Sequence, residues 1–215
     1  MPDPQAVADL LVRRDGVAPE VALQAARAAQ SHVGIARRLA TNPEAQERRR
    51  HLLLLPSRIR GVGDAVLEAA NLVERATAEA SSARSERDDE ERAELLRGLG
   101  LTEGEAIPPA LRAQIRQLEE NQKKRATRVQ RDALDRAMTD LLSFYRDVVA
   151  VQLGATVDLV NDDLRSEVSA VGAESTSEQT LRRMDAIGQA RQRLEGNVAP
   201  LLAVEAMLVA LRPQG

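Results

Sequence analysis

The sequence predicts an all-α protein, a small three-helix unit followed by a larger helical domain that carries a long antiparallel helical hairpin. Three observations lead there. Ala, Leu, Arg and Glu dominate the composition, and these residues lose least on entering a helix. The aromatic residues are one Phe and one Tyr, adjacent at Phe144 and Tyr145, with no Trp, so a pleated sheet has too little to pack. Proline, glycine and capping side chains also punctuate apolar stripes at helical spacing.

Asp3-Pro4 reads as an N-cap followed by proline at the first helical position, with Val7, Leu10 and Leu11 on one face. Arg13, Arg14 and Gly16 end that helix, cations in the last turn and glycine beyond. Pro19 opens an alanine-rich helix to about Gln30, and Ser31 is placed to cap a third one through Ala40. These short helices form a predicted first domain, residues 1–45. Asn42-Pro43 then starts a new segment, with Glu44 near its positive end.

The second predicted domain spans 46–215. Pro56 marks a start, and a long helix is expected over about 57–99, with Ile59, Val62, Val66, Leu67, Ala70 and Val73 as its partner-facing stripe. The run from Ser81 to Arg92 is too polar to continue that stripe; it reads as a helix held by i,i+4 ion pairs or as a frayed one. Gly98, Gly100, Gly104, Pro108 and Pro109 supply a turn. A second long helix is expected from about Ala110 to Leu153, stopped by Gly154, so the two form a hairpin with an extension at about 80–128. A Thr176-x-x-Gln179 capping box opens a helix to about Leu194. Asn197 is placed to cap the last helix, to Leu211, which is apolar nearly all round and so calls for burial or an interface.

Net charge is −3, which argues against a general binder of nucleic acid or membrane surface. Cysteine is absent, so there is neither a disulfide framework nor a thiolate metal site. The longest apolar run mid-chain, Leu52 to Leu55, is far short of the about 20 residues a membrane span needs, and the cytoplasm is the expected compartment. No phosphate-binding glycine loop and no nucleophile elbow occurs. His32 and His51 lack metal-ligand spacing, and the Asp158, Asn161, Asp162, Asp163 cluster lacks the calcium-loop glycine, so it reads as helix caps and solvated charge. No catalytic site, metal, cofactor or small-molecule substrate is expected. Lys124, Arg128 and Arg131 share a helical face and form a weak candidate for nucleic-acid contact; Glu119 and Glu120 one turn earlier, and the lack of interleaved aromatics, favour a solvated face.

Two segments carry a family resemblance. Ser31-His32-Val33-Gly34-Ile35-Ala36-Arg37-Arg38-Leu39-Ala40 resembles the sensor-2 helix of AAA+ clamp-loader subunits, with Gly34 at the helix start and Arg37 in the sensor-2 place. Leu194 to Leu208, asparagine, a short step to proline, then an apolar run with one glutamate, resembles the last collar helix of those subunits. Gln122 to Asp135 and Phe144-Tyr145-Arg146-Asp147 are similar to the collar of delta-prime subunits from high-GC Gram-positive bacteria, and the segments come in the family's order.

The resemblance implies a lid at 1–45 and a collar at 46–215, beginning where the family's lid begins and lacking its ATPase domain. It implies assembly with gamma/tau and delta subunits, and indirectly with the sliding β clamp and primed DNA. Asn197, Pro200, Leu201, Leu202, Glu205 and Leu208 become candidate interface residues, with Leu201, Leu202, Leu208 and Leu211 expected to make buried contacts and Glu205 to need a cation, a helix end or a rim. Arg37 would sense a nucleotide in relatives that bind one. A free-standing helical adaptor or coiled-coil scaffold is the alternative, for which the hairpin alone suffices.

Overall fold

The computed structural model describes residues 3–82, 85–101, 108–196 and 198–213, and among these every regular element is helical. Packing divides the chain into two compact units, Met1–Glu68 with Ala137–Gly215, and Ala69–Arg136.

The first unit opens with α1 (Pro4–Asp15), α2 (Pro19–Ala28) and α3 (Val33–Thr41). The Asp3 carboxylate accepts from the Gln5 N–H, and Gly16, at φ 65°, closes α1 with its N–H on the Val12 carbonyl. α1 packs on α2, and α2 on α3. Their shared core is Val7, Leu11 and Leu39 among alanines, including Ala22, Ala25, Ala26 and Ala36. Such small side chains let the helix axes approach closely.

The cap of α3 differs from expectation. His32 is the N-cap, its Nδ1 accepting from Ile35 N–H at 3.3 Å, while Ser31 is spent on the turn before it. Gln30 and Ser31 lie at φ 47° and 64°, the left-handed region. They reverse the chain while the Ser31 and His32 N–H groups donate to the Ala26 and Ala29 carbonyls, both at 2.9 Å.

α4 (Pro43–Arg58) is capped by Asn42, whose side chain accepts from Ala45 N–H at 3.0 Å. It runs through Pro56, where a new helix was expected to begin. Proline lacks the donor for the last turn, and the helix ends two residues later. α5 (Val62–Ser82) starts afresh because the Asp64 carboxylate accepts from the Arg60 and Gly61 N–H groups at 3.0 and 3.2 Å, the carboxylate half of a capping box. The single helix expected over 57–99 is therefore the end of α4, then α5, then α6 (Ser85–Gly98).

The rest of the first unit comprises the end of α7 (Arg112–Gln152), α8 (Arg165–Ala173), α9 (Ser177–Glu195) and α10 (Pro200–Leu211). α7 ends as expected at Gly154, at φ 63°, where Ala155 N–H reaches back to the Ala150 carbonyl in a Schellman motif. α8 was not foreseen. Its signal is Leu164 and Val168 one turn apart, both fully buried. The capping box of α9 has both halves in place, Gln179 N–H on Thr176 Oγ1 and Thr176 N–H on Gln179 Oε1. α10 packs along α9, burying Ala203, Val204, Met207, Leu208 and Leu211. Each large side chain among these contributes about 1.5–3 kcal/mol.

The second unit is an antiparallel helical pairing of α5 and α6 with α7. Gln130 Nε2 donates to Thr77 Oγ1 at 2.6 Å, Arg125 reaches Asp88 and Glu91, and Arg92 Nη1 donates to Glu119 at 2.6 Å, so partners advance along one arm as they recede along the other. The buried side of α5 is Ala69, Ala76 and Ala80, continuing the line of Ala65, whereas Val62, Val66 and Leu67 of the expected stripe are exposed. Leu72 and Val73 are half-buried beside these alanines, and Leu96 and Ile115 are large side chains that the unit buries. The polar run 85–92 is helical, held by Arg87–Glu91 four residues apart and by the ties to α7.

Two outcomes follow from these features. Left-handed backbone costs a non-glycine residue about 1 kcal/mol. Exposed Gln30 makes no side-chain hydrogen bond with the described residues, so Gln30→Gly is expected to raise the urea-unfolding free energy by about 0.5–1 kcal/mol, and Gln30→Ala to leave it unchanged. In the second unit, the hydrogen bond from Arg125, with Arg87 adding to it, holds the Glu91 carboxyl below the ordinary glutamate range, burial opposing. A carboxyl lowered on folding adds stability above its unfolded pKa and loses it as the pH falls through the folded one. Thermal melts should show stability dropping between pH ~5 and pH ~3, and Glu91→Gln should flatten that drop; an unchanged acid slope in the variant would contradict the pairing.

Candidate functional site

The sensor-2-like residues sit where the sequence places them, Gly34 in the first turn of α3 and Arg37 one turn on. Arg37 is already engaged: its Nε donates to Asp15 Oδ1 at 2.8 Å, and Nη2 lies 2.8 Å from the same oxygen. The Asp15 side chain is nearly buried at the end of α1, so this pair ties α3 to α1.

At the other end of the chain, Pro200 is the first residue of α10, and the N-cap is Ala199, which offers no side-chain hydrogen bond. Asn197, the expected cap, lies outside the described residues. Leu208 and Leu211 are buried as anticipated, but Leu201 and Leu202 are 38% and 59% exposed. Leu202 lies on the side away from the buried residues, whereas Leu201, seven residues before Leu208, flanks the buried side and is exposed at the open first turn. Glu205 is half-buried and makes no ion pair with the described residues. Val198 adds a further exposed side chain just ahead of the helix.

The basic candidates divide. Lys124 and Arg128 are exposed on α7, while Arg131 is half-buried and engaged. Arg125, between them, is drawn to Asp88 and Glu91, which leaves a short cationic face flanked by acids.

A buried polar cluster went unread in the sequence. Asp147, fully buried on α7, accepts from Val160 N–H at 3.1 Å and Asn161 N–H at 2.7 Å, from Asn161 Nδ2 at 2.8 Å and from Arg146 Nη1 at 2.7 Å. Asn161, also at 0% exposure, accepts from Arg49 Nη2 at 2.7 Å and donates to Ser143 Oγ at 3.2 Å. Arg49 Nε in turn donates to Asp140 at 2.9 Å, and Arg146 also reaches the Asp158 carbonyl. The acidic stretch 158–163 is thus not simply solvated caps: Asn161 is its buried anchor, Asp158 pairs with Arg27, and Asp162 with Arg165.

A second buried ion stands apart from that cluster. Arg183 on α9 is 8% exposed, and its guanidinium carbon lies 5.9 Å from the centre of the Tyr145 ring. Tyr145 in turn meets Phe144 edge to face, the ring centres 5.7 Å apart. Burial holds the Tyr145 hydroxyl well above the ordinary phenol range, Arg183 pulling the other way, so the phenol stays neutral at physiological pH. Both residues line a cleft of about 260 Å³ among α4, α7, α8, α9 and the end of α10. The signal for burial was present, since Thr180, Arg183, Ile187, Ala190 and Leu194 form one stripe of α9 with an arginine standing at a core position.

His32 serves as a helix cap, and His51 Nδ1 lies 3.2 Å from Arg58 Nη1. No helix among the described residues is long and apolar enough to cross a membrane. Comparison with protein families, with curated proteins and with solved structures returns no match for the chain.

The Asp147 cluster makes a quantitative demand. Asp147→Asn leaves the shape but sets an amide donor against backbone N–H groups, and should lower unfolding stability by about 3 kcal/mol. Asp158→Asn, at a solvated carboxylate, should cost less than about 1 kcal/mol. Urea denaturation of the two variants checks the contrast.

Proposed function

We propose that this chain is the lid-plus-collar portion of a delta-prime-type subunit of a bacterial DNA polymerase III clamp loader, working by assembly and carrying out no chemistry of its own. In this reading residues 1–45 are the lid and 46–215 the collar, and the partners are gamma/tau and delta subunits, with the β clamp and primed DNA reached through them. The likeness of Ser31–Ala40 and of Leu194–Leu208 to the family's segments, and their order, support it.

The observation that carries it is the uncovered first turn of α10. Adjacent leucines left in water at the start of a helix that is packed further along are what a subunit interface covers. Leu201 and Leu202 are then contact residues, Pro200 sets the entry of the helix, Leu208 holds it to its own core, and Glu205 belongs to the polar rim. Arg37, bonded to Asp15, acts here as a brace within the lid.

The ion-paired hairpin favours one rival, a free-standing helical adaptor that associates through its arms. Co-expression separates the two. The chain should co-purify with gamma/tau and delta, and Leu201→Asp with Leu202→Asp should cut recovery of the complex at least ~10-fold while leaving helical content intact, because both side chains are exposed in the free chain. Failure of the unmodified chain to bind either subunit overturns the clamp-loader reading. Self-association lost on Arg125→Glu supports the adaptor.

A further inference from the structure

Lysine is almost absent from this chain. Of its 30 basic residues, 28 are arginine and two are lysine, and the two stand side by side at Lys123 and Lys124. The difference is chemical. A guanidinium stays charged and offers no free electron pair in a protein, whereas an ε-ammonium can release a proton and leave a nucleophilic amine. Every side-chain amine of the protein therefore sits at one spot on α7.

That spot is open. Lys123 and Lys124 are both exposed, and neither makes an ion pair with a described residue. Acids of the hairpin nearby are committed elsewhere: Asp88 and Glu91 hold Arg125, and Glu119 pairs with Arg92.

The two amines have different neighbours. Residues three and four apart share a helix face, with about 5–6 Å between their Cβ atoms. Lys123 has Glu119 and Glu120 on the preceding turn, and Ala126 and Thr127 on the following one. Lys124 has Glu120 and Asn121 before it, and Thr127 and Arg128 after it. Arg128 is exposed and makes no ion pair with a described residue. A small anionic donor is thus met only by acids beside Lys123, but by a guanidinium fork one turn from Lys124.

We propose that Lys124 is a site of ε-amine acylation by a small acyl phosphate, with Arg128 positioning the phosphate. The nitrogen lone pair of the neutral Lys124 amine forms a C–N bond to the acyl carbon. The bond from that carbon to the phosphate oxygen breaks, its electron pair leaves on inorganic phosphate, and the proton lost from nitrogen passes to solvent. Nothing is oxidised or reduced. The product amide carries no charge, so the face of α7 around Glu119 and Glu120 loses one of its two lysine charges. Lys123, one residue away and equally exposed, is the slower amine.

The unmodified chain tests this through its own internal comparison. On incubation with acetyl phosphate, fragmentation mass spectrometry should show Lys124 acetylated about three- to fivefold faster than Lys123, the scale of one exposed charge contact. The acetyl ester of N-hydroxysuccinimide, an uncharged donor, should not distinguish the two, and added salt should erase the preference seen with acetyl phosphate. Arg128→Gln should bring the Lys124 rate down to that of Lys123. Equal rates with acetyl phosphate, the same preference with the uncharged ester, or an unchanged ratio in Arg128→Gln overturns the proposal. The two donors on the unmodified chain suffice if the variant does not fold, and the result is independent of gamma/tau and delta.

Discussion

The first unit depends on one carboxylate. Asp147 is buried on α7 and gathers four donors, two of them successive backbone N–H groups at Val160 and Asn161. After Gly154 the chain leaves α7 with no helix of its own until Asp162, and a stretch of that kind near a core must satisfy its backbone elsewhere. Asp147 does this for two residues, and Asn161 passes the constraint to Arg49 on α4, which Asp140 anchors. The register of Leu164 and Val168, and hence the start of α8, follows from where Asn161 is held. With Arg49 beside Asp140, Arg146 beside Asp147 and Arg27 beside Asp158, positive and negative groups alternate through the cluster, so no charge in it is left uncompensated.

What was legible in the sequence is what is local. Asp3-Pro4, Asn42-Pro43 and Thr176-x-x-Gln179 act within four residues of themselves, and each capped its helix as read. Gly154 stopped α7 for the same reason. The buried cluster joins residues 91 and 112 positions apart, and no pattern in either segment announces the other. Asn161 therefore passed for one more polar residue in an acidic run. The buried side of α5 misled differently: ranking side chains by hydrophobicity picks Val66 and Leu67, whereas the helix is rotated so that Ala69, Ala76 and Ala80 are the residues it buries. At the last helix, composition showed that α10 was apolar nearly all round but could not say which side its own chain would cover.

The two units also solve the same problem by different means. Around α9 and α10 large aliphatic side chains exclude water, and each of them is worth more than a surface ion pair. In the hairpin, alanines contribute little area each, and Asp88, Glu91, Arg92, Glu119 and Arg125 set the register through contacts that remain partly solvated. Stability in the second unit therefore depends on salt and acid more than in the first. The first unit is held chiefly by burial of apolar surface and the second chiefly by charge pairing.

Asp147 and Arg183 are both buried charged residues within the first unit, and the fold accommodates them differently. Asp147 is saturated by donors from its own fold, which makes it a device of architecture. Arg183 has an aromatic face, a neutral phenol and an apolar wall. Its stem packs along the α9 stripe with Ile187, Ala190 and Leu194, and the guanidinium lies over the Tyr145 ring at the edge of the cleft, so the long side chain covers apolar surface while its charged end faces the opening.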